Sequence, residues 1–363
     1  MSNLPHHPTM QRAYYTKHTA MCQGVFEKFF KFFYLFLKGF RPFGIYRIFY
    51  PKIKNFMVFF SIYLTILPIM LYFYCNFIGE ISKMVNVSSF LGSFWESLYK
   101  WISGKGVVYQ DVSEYAYTGK HFLVLGLVAI ATLAVFFLFR KQNNVERTKF
   151  LQVVAWIMIA CEILSRISKL LYFADLGKLT VGQAIQIILP IHFCSVIIWV
   201  LILSILFDYK PMLGFGAICG FFGCLVYLLY PAEGLGASFI HLRAFNSIFT
   251  HSVGFVICIN MLIYKMVKLD IKDMWKTFAL LAGMVAWAGI MNWIFPYDTN
   301  GNLNNYMFMM KNPTGLNTGI IPYQIIFALL AVVVFSSFYL IPYWINKHKT
   351  KKNHSQQNKI ATE

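Results

Sequence analysis

The chain has 363 residues, of which 58% are hydrophobic and only 13% charged. Soluble domains carry about 25% charged residues, so this composition excludes a soluble body of this size and implies a surface that faces lipid. The net charge of +18 comes with no nucleic-acid recognition motif, and no nucleic-acid partner is expected. The Lys and Arg residues lie between and beyond apolar segments, where they set orientation against an anionic inner leaflet.

In chain order, the first twenty residues are polar and basic without an apolar core, so no cleavable signal is expected. Residues 24–50 interleave Phe and Leu with Lys28, Lys31, Lys38, Arg41 and Arg47. That pattern predicts an amphipathic helix lying in the membrane interface, bent or ended by Gly39 and Pro42. The first span is expected at 56–78, long enough for about 30 Å of hydrocarbon, and 79–120 reads as a polar loop. Further spans are expected at 121–139, about 150–173, about 184–207, 211–230, about 246–264, 277–295 and 320–344. The fifth, GFGAICGFFGCLV, has the glycines that allow close helix contact.

The expectation is therefore an all-α polytopic bundle of eight spans. It comprises a basic N-terminus (1–55), an extra first span with its loop (56–120), a seven-helix core (121–344) and a basic tail (345–363). The loop charges support that count. Five basic segments (the N-terminus, 140–149, 208–210, 265–276 and the tail) fall on one side when eight spans are threaded, as the positive-inside rule requires. Both termini are expected in the cytoplasm, with the protein in the cell membrane.

Ionisable groups inside spans are costly and point to function or to internal pairing. Glu162 and Arg166, four apart in CEILSR, share a helix face. They either brace the bundle as an ion pair or orient a site residue. The fourth span carries LPIHFCS: Pro190 bends it, and His192 and Cys194 follow near mid-depth. The sixth begins with His241 and Arg243, which suit either an interface or a site, and places His251 deeper. Asn292, Asn305 and Tyr306 lie near the outer mouth, where the loop 298–317 reads as a lid or a solvated connector.

A thiol with a nearby imidazole can act as nucleophile and base, and amides can stabilise an oxyanion. Seven cysteines (22, 75, 161, 194, 219, 224 and 258) form no CxxC pair, so neither a zinc site nor a disulfide framework is expected. The histidines lack the carboxylates of a di-metal site, and no cofactor is expected.

The segments LPIHFCS, HLRAFNSIFTH and NNYMFMMKNP, with Glu162 on the preceding helix, together resemble the YwaF-like or transmembrane protein 164 family over roughly 121–343. The resemblance implies lipid chemistry: a phospholipid acyltransferase with a Cys nucleophile, in a fold similar to intramembrane lipid hydrolases.

The expected function is intramembrane acyl transfer with membrane lipids as substrate. Cys194 is the candidate nucleophile, His251 the base, and His192 an assistant or substrate ligand. Asn305 and Asn292 are oxyanion candidates, and Tyr306, Arg243, His241, Glu162 and Arg166 line the substrate site. The alternative is a transporter whose polar path uses the same residues. The sequence shows no broken-helix repeat of the kind transporters use.

Overall fold

A computed structural model of the protein describes residues 89–108, 112–230, 235–238, 240–297, 303–310 and 322–360. The expected span at 56–78 and interfacial helix at 24–50 lie outside the described residues. The chain divides between Glu96 and Ser97 into two units. Of the first, only the beginning of helix α1 (Ser89–Ser103) is described; the apolar helices, their packing and the polar cluster all belong to the second.

Among the described residues the protein is all-α and contains no strand. After α1 and the short α2 (Val112–Tyr115) come α3 (Gly119–Lys141), α4 (Asn144–Asp175), α5 (Val181–Ile188) and α6 (Phe193–Leu206). Then come α7 (Lys210–Leu229), α8 (Leu242–Ile263), α9 (Met274–Ile294) and α10 (Tyr323–Ile360), with short 3-10 turns at Ile271–Asp273 and Tyr306–Phe308. Among the described residues six helices are long and apolar enough to cross a membrane, and the α5–α6 pair, bent by 51°, makes a seventh if it is counted as one broken span. The six coincide with six of the spans expected between 121 and 344, and the bent pair lies at the span expected at about 184–207.

Two features differ from the sequence reading. The stretch 79–120, expected as a loop, contains α1 and α2. Phe90, Phe94, Leu98 and Trp101 recur every three or four residues there, a helical period that the flanking polar residues obscured. The span at 184–207 is two helices, because Leu189 and His192 adopt extended backbone on either side of Pro190 and Ile191. Proline disfavours helical backbone at the residue before it.

The connections at one end of the bundle are basic, with Arg140, Lys141, Lys210, Lys265 and Lys276 at helix ends. That end is tied by specific contacts. Asn143 and Glu146 form a reciprocal capping box at the start of α4. Arg147 donates to the Phe139 carbonyl from Nε (2.9 Å) and Nη2 (2.6 Å) and lies over the Tyr264 ring. Above it sits an apolar core of Phe139, Leu151, Met158, Leu201, Ile257 and Met261.

Helix α7 is the centre of the bundle: 61% of its span is buried, against 11% for α3 and α10, whose flanks face lipid. It packs against α6, α8, α9 and α10. Its glycines make this approach possible. A Cβ on Gly216 would stand 3.2 Å from the Leu201 Cα of α6, and one on Gly220 would stand 2.8 Å from Cys258 Sγ of α8. The contact is reciprocal, since a Cβ on Gly254 of α8 would meet Cys224 Sγ of α7 at 2.7 Å. Without a hydrophobic drive between helices in lipid, such close van der Waals seams are what hold spans together.

Candidate functional site

The site is built around the break between α5 and α6, at the end of the bundle opposite the basic one. Pro190 ends the regular hydrogen bonding, so the carbonyls and N–H groups around 188–193 need partners from elsewhere. Arg166 of α4 supplies several of them. Its guanidinium pairs with Glu162, donates from Nε to the Ile188 carbonyl (3.1 Å) and from Nη2 to Ser195 Oγ (3.0 Å). Trp287 of α9 donates its indole N–H to the Pro190 carbonyl at 3.2 Å. The expected ion pair is therefore present, and Arg166 also clasps both sides of the break that carries His192 and Cys194. Glu162 and Arg166 are both buried, so each charge depends on the other.

Beyond the break, α6 starts with His192 as its N-cap and Phe193, Cys194 and Ser195 in its first turn. The His192 side chain makes no capping hydrogen bond; its exposed ring packs edge-on against Tyr306 at 5.2 Å. Tyr306 is buried and donates its hydroxyl to Gln186 Oε1 at 3.1 Å. Asn292 of α9 fixes that residue by two bonds, accepting from the Tyr306 N–H (3.0 Å) and donating to its carbonyl (3.1 Å). The amide of Asn292 is thus occupied in holding the 303–310 segment beside His192. Asn305 accepts the Met310 N–H at 2.8 Å through Oδ1.

Helices α6 and α8, which carry Cys194 and His251, meet neighbouring turns of α7. Phe193 packs on Gly223 of α7, where a Cβ would stand 3.3 Å from the ring. Cys194 follows Phe193 in the first turn of α6. One turn further on, Tyr227 of α7 stacks face to face on the His251 imidazole, with ring centres 3.7 Å apart. His251 is buried, and its Nδ1 lies 2.7 Å from the Ser247 carbonyl. A carbonyl only accepts, so Nδ1 carries the proton in that contact, and Nε2 is the basic nitrogen of the neutral ring.

His241 and Arg243 belong to a different corner. His241 is the N-cap of α8, accepts the Ala244 N–H at 3.1 Å and has its ring against Gly104. Burial pushes this histidine, which precedes the span, down to about 4; Arg243 beside it adds to the effect and a backbone hydrogen bond partly offsets it. Arg243 stands over the Tyr172 ring at 4.9 Å. These two residues fasten α8 to the neighbouring elements. No group of three His, Cys, Asp or Glu close enough for a metal ion occurs among the described residues.

The sequence reading did not single out Tyr227, Ser247, Ser195, Gln186, Trp287 or Cys224. It also missed His121, which is buried and links the start of α3 to the end of α7. His121 accepts the Tyr117 N–H at Nδ1 (2.9 Å) and donates from Nε2 to the Leu228 carbonyl (2.7 Å).

A model described as the TMEM164 family matches residues 116–342, well over half of the chain. No curated protein and no solved structure matches it.

Proposed function

The chain belongs to the TMEM164 family, and from its geometry we propose that it is an intramembrane lipid acyl-transfer enzyme using Cys194 and His251. The observation that carries this reading is that α6 packs on Gly223 of α7 through Phe193, the residue before Cys194, while His251 of α8 stacks on Tyr227 one turn further along α7, with Nδ1 of His251 bonded to the Ser247 carbonyl so that Nε2 is the basic nitrogen. In the proposed cycle Cys194 Sγ gives its proton to His251 Nε2 and attacks the carbonyl of a lipid ester. The S–C bond forms, the C–O bond breaks, and His251 returns the proton to the departing lipid oxygen. An acceptor hydroxyl, from a second lipid or from water, then gives its proton to His251 and attacks the thioester. The S–C bond breaks and Cys194 recovers its proton.

Two arrangements support the chemistry. The first turn of α6 presents backbone N–H groups at the positive end of a 14-residue helix, where the negative charge of a tetrahedral intermediate is favoured. Arg166, paired with Glu162, bonds Ser195 in that turn and, with Trp287, the carbonyls just before it, which supports a preorganised oxyanion site. In this reading His192 and Tyr306 border the substrate, while Asn292 and Asn305 act by fixing the loop that carries Tyr306.

The basic end of the bundle faces the cytoplasm in this proposal, and the break opens toward the outer half of the cell membrane. Cysteine labelling from outside intact cells should reach Lys178→Cys and miss Lys141→Cys; the reverse would invert the topology.

A single broken span is also a feature of transporters, which keeps transport as the second reading. Lipid analysis of cells separates the two. Cys194→Ala and His251→Ala should each abolish acyl exchange while leaving the folded yield near wild type. Cys194→Ser should retain little activity, because an alkoxide is harder to form than a thiolate. Wild-type lipid profiles in cells carrying Cys194→Ala would overturn the thioester mechanism and move transport to the front.

A further inference from the structure

We infer that Tyr227 is a positioning residue for His251: together with Ser247 it locks the imidazole into one orientation and one tautomer. The inference rests on the acyl-transfer reading for its consequence in catalysis, but the locking itself is a property of three residues, Tyr227, Ser247 and His251.

Those three residues form a closed arrangement between α7 and α8. The phenol ring of Tyr227 covers one face of His251, with centres 3.7 Å apart and planes 15° from parallel. The Tyr227 hydroxyl shares a hydrogen bond of 2.9 Å with Ser247 Oγ. The carbonyl of the same Ser247 accepts from His251 Nδ1 at 2.7 Å. One residue of α8 therefore anchors both rings, the phenol through its side chain and the imidazole through its backbone. Ser247 and His251 are four apart and so lie on one face of α8. That face meets α7, as the neighbouring contact between Gly254 and Cys224 shows.

The stacking geometry carries information of its own. Two neutral aromatic rings prefer offset or edge-to-face contact over a near-parallel, closely centred sandwich. A cation over an aromatic face prefers the centred arrangement. The Tyr227–His251 geometry suits a ring that carries positive charge during part of a cycle, as a general base does between taking a proton and returning it. The phenol ring also excludes water and lipid from one face of the imidazole. With that face covered and Nδ1 committed to Ser247, proton exchange is directed to Nε2, and rotation of the imidazole out of its plane breaks both contacts at once.

The phenol hydroxyl sets the ring angle, and the ring supplies the stack. Phe therefore keeps most of the effect, whereas Leu and Met keep bulk without a π face.

The test uses the full-length protein in lipid nanodiscs, with Tyr227→Phe, Tyr227→Leu, Tyr227→Met and Ser247→Ala. The first readout is nitrogen NMR of labelled histidine, with the His251 signals assigned by their loss in His251→Ala. Wild type and Tyr227→Phe should show His251 as a single Nδ1–H tautomer. Tyr227→Leu and Tyr227→Met should show both tautomers, and Ser247→Ala should fall between. Two aliphatic variants are included so that a folding failure in one leaves the other informative. The second readout is acyl exchange. General bases contribute about a hundredfold or more, and a base that is present but badly held should lose about tenfold in kcat with little change in KM. Tyr227→Phe should stay within about threefold of wild type, since positioning rather than the proton itself is altered.

A single Nδ1–H tautomer in both aliphatic variants would overturn the inference, whatever the activity. If tautomers mix as expected while Cys194→Ala and His251→Ala retain full exchange, the positioning stands and the acyl-transfer reading falls. If His251→Ala is inactive while both aliphatic variants keep wild-type kcat and a single tautomer, the acyl-transfer reading stands and the role of Tyr227 falls.

Discussion

The two halves of the bundle differ in what fills their interior: mainly apolar side chains at the basic end, with more buried ionisable groups at the other. At the basic end the core is Phe139, Leu151, Met158, Leu201 and Met261; there Ser204 bonds a carbonyl of its own helix, and Asn260 bonds one of its own helix and the Thr132 carbonyl of α3. At the opposite end Glu162, Arg166, His121, His241, His251 and Asn292 are all buried, and many of their partners lie on other helices or across loops. Apolar packing degrades gradually as contacts are lost. A buried polar group fails abruptly, because removing its partner leaves an uncompensated dipole or charge. The candidate chemistry lies in the half where Arg166, Asn292, Tyr306 and His251 are each held by a named partner.

The largest effect expected from that contrast is at Arg166. Arg166→Leu strands Glu162 and releases Ile188 and Ser195 together, which should cost about 3–5 kcal/mol and sharply lower the folded yield measured by size-exclusion chromatography. The double variant Glu162→Gln, Arg166→Leu removes the stranded charge and should recover much of the yield. It should remain inactive, because the break then loses the bonds of Arg166 to Ile188 and Ser195. A double variant with wild-type activity would reduce the pair to a bundle brace.

A smaller effect is expected where the bundle is held by fit. A Cβ on Gly220 would stand 2.8 Å from Cys258 Sγ, with Leu201 and Ile197 behind it. Gly220→Ala should lower stability by about 1–3 kcal/mol through overpacking, seen as a lower Tm. Adding Cys258→Ala makes room and should restore most of the loss. If the pair of substitutions is as unstable as Gly220→Ala alone, the seam is not set by this contact.

The smallest effect concerns His241, which is held neutral down to about 4 against an ordinary 6.5. Its contribution is full above pH 6.5, where folded and unfolded chains are both neutral. It is lost as pH falls from 6.5 toward 4, because only the unfolded chain then gains the proton. Tm should therefore drop between pH 7 and pH 5 in the wild type and drop less in His241→Asn, which keeps a capping acceptor. Equal drops would show that the acid sensitivity lies elsewhere.

Much of this contrast was legible in the sequence, and the rest was hidden for identifiable reasons. The seven spans from 121 to 344 follow from uninterrupted apolar length and loop charge. The Glu162–Arg166 pair follows from its four-residue spacing, and Pro190 announces a bend. The seam glycines are visible as composition. What spacing cannot give is the partner across the bundle: Ser195 and Ile188 for Arg166, the Tyr306 backbone for Asn292, the Leu228 carbonyl for His121. Tyr227 is one of 22 tyrosines, and nothing in its neighbourhood separates it from Tyr230 three residues on. His121 begins a span and reads as an interfacial residue, although its acceptor is 107 positions away. The helices at 89–103 and 112–115 were obscured by the polar residues between them.

The central claim is that Cys194 carries the acyl group. Purified His251→Ala, incubated with lipid and analysed by intact-protein mass spectrometry, tests it most directly. Attack by the thiol without its base is slow but leaves a thioester with no efficient route to turnover, so the account predicts an acyl-chain mass adduct. That adduct should be removed by neutral hydroxylamine and absent from the double variant Cys194→Ala, His251→Ala. No adduct in His251→Ala, together with wild-type lipid exchange by Cys194→Ala, would contradict it.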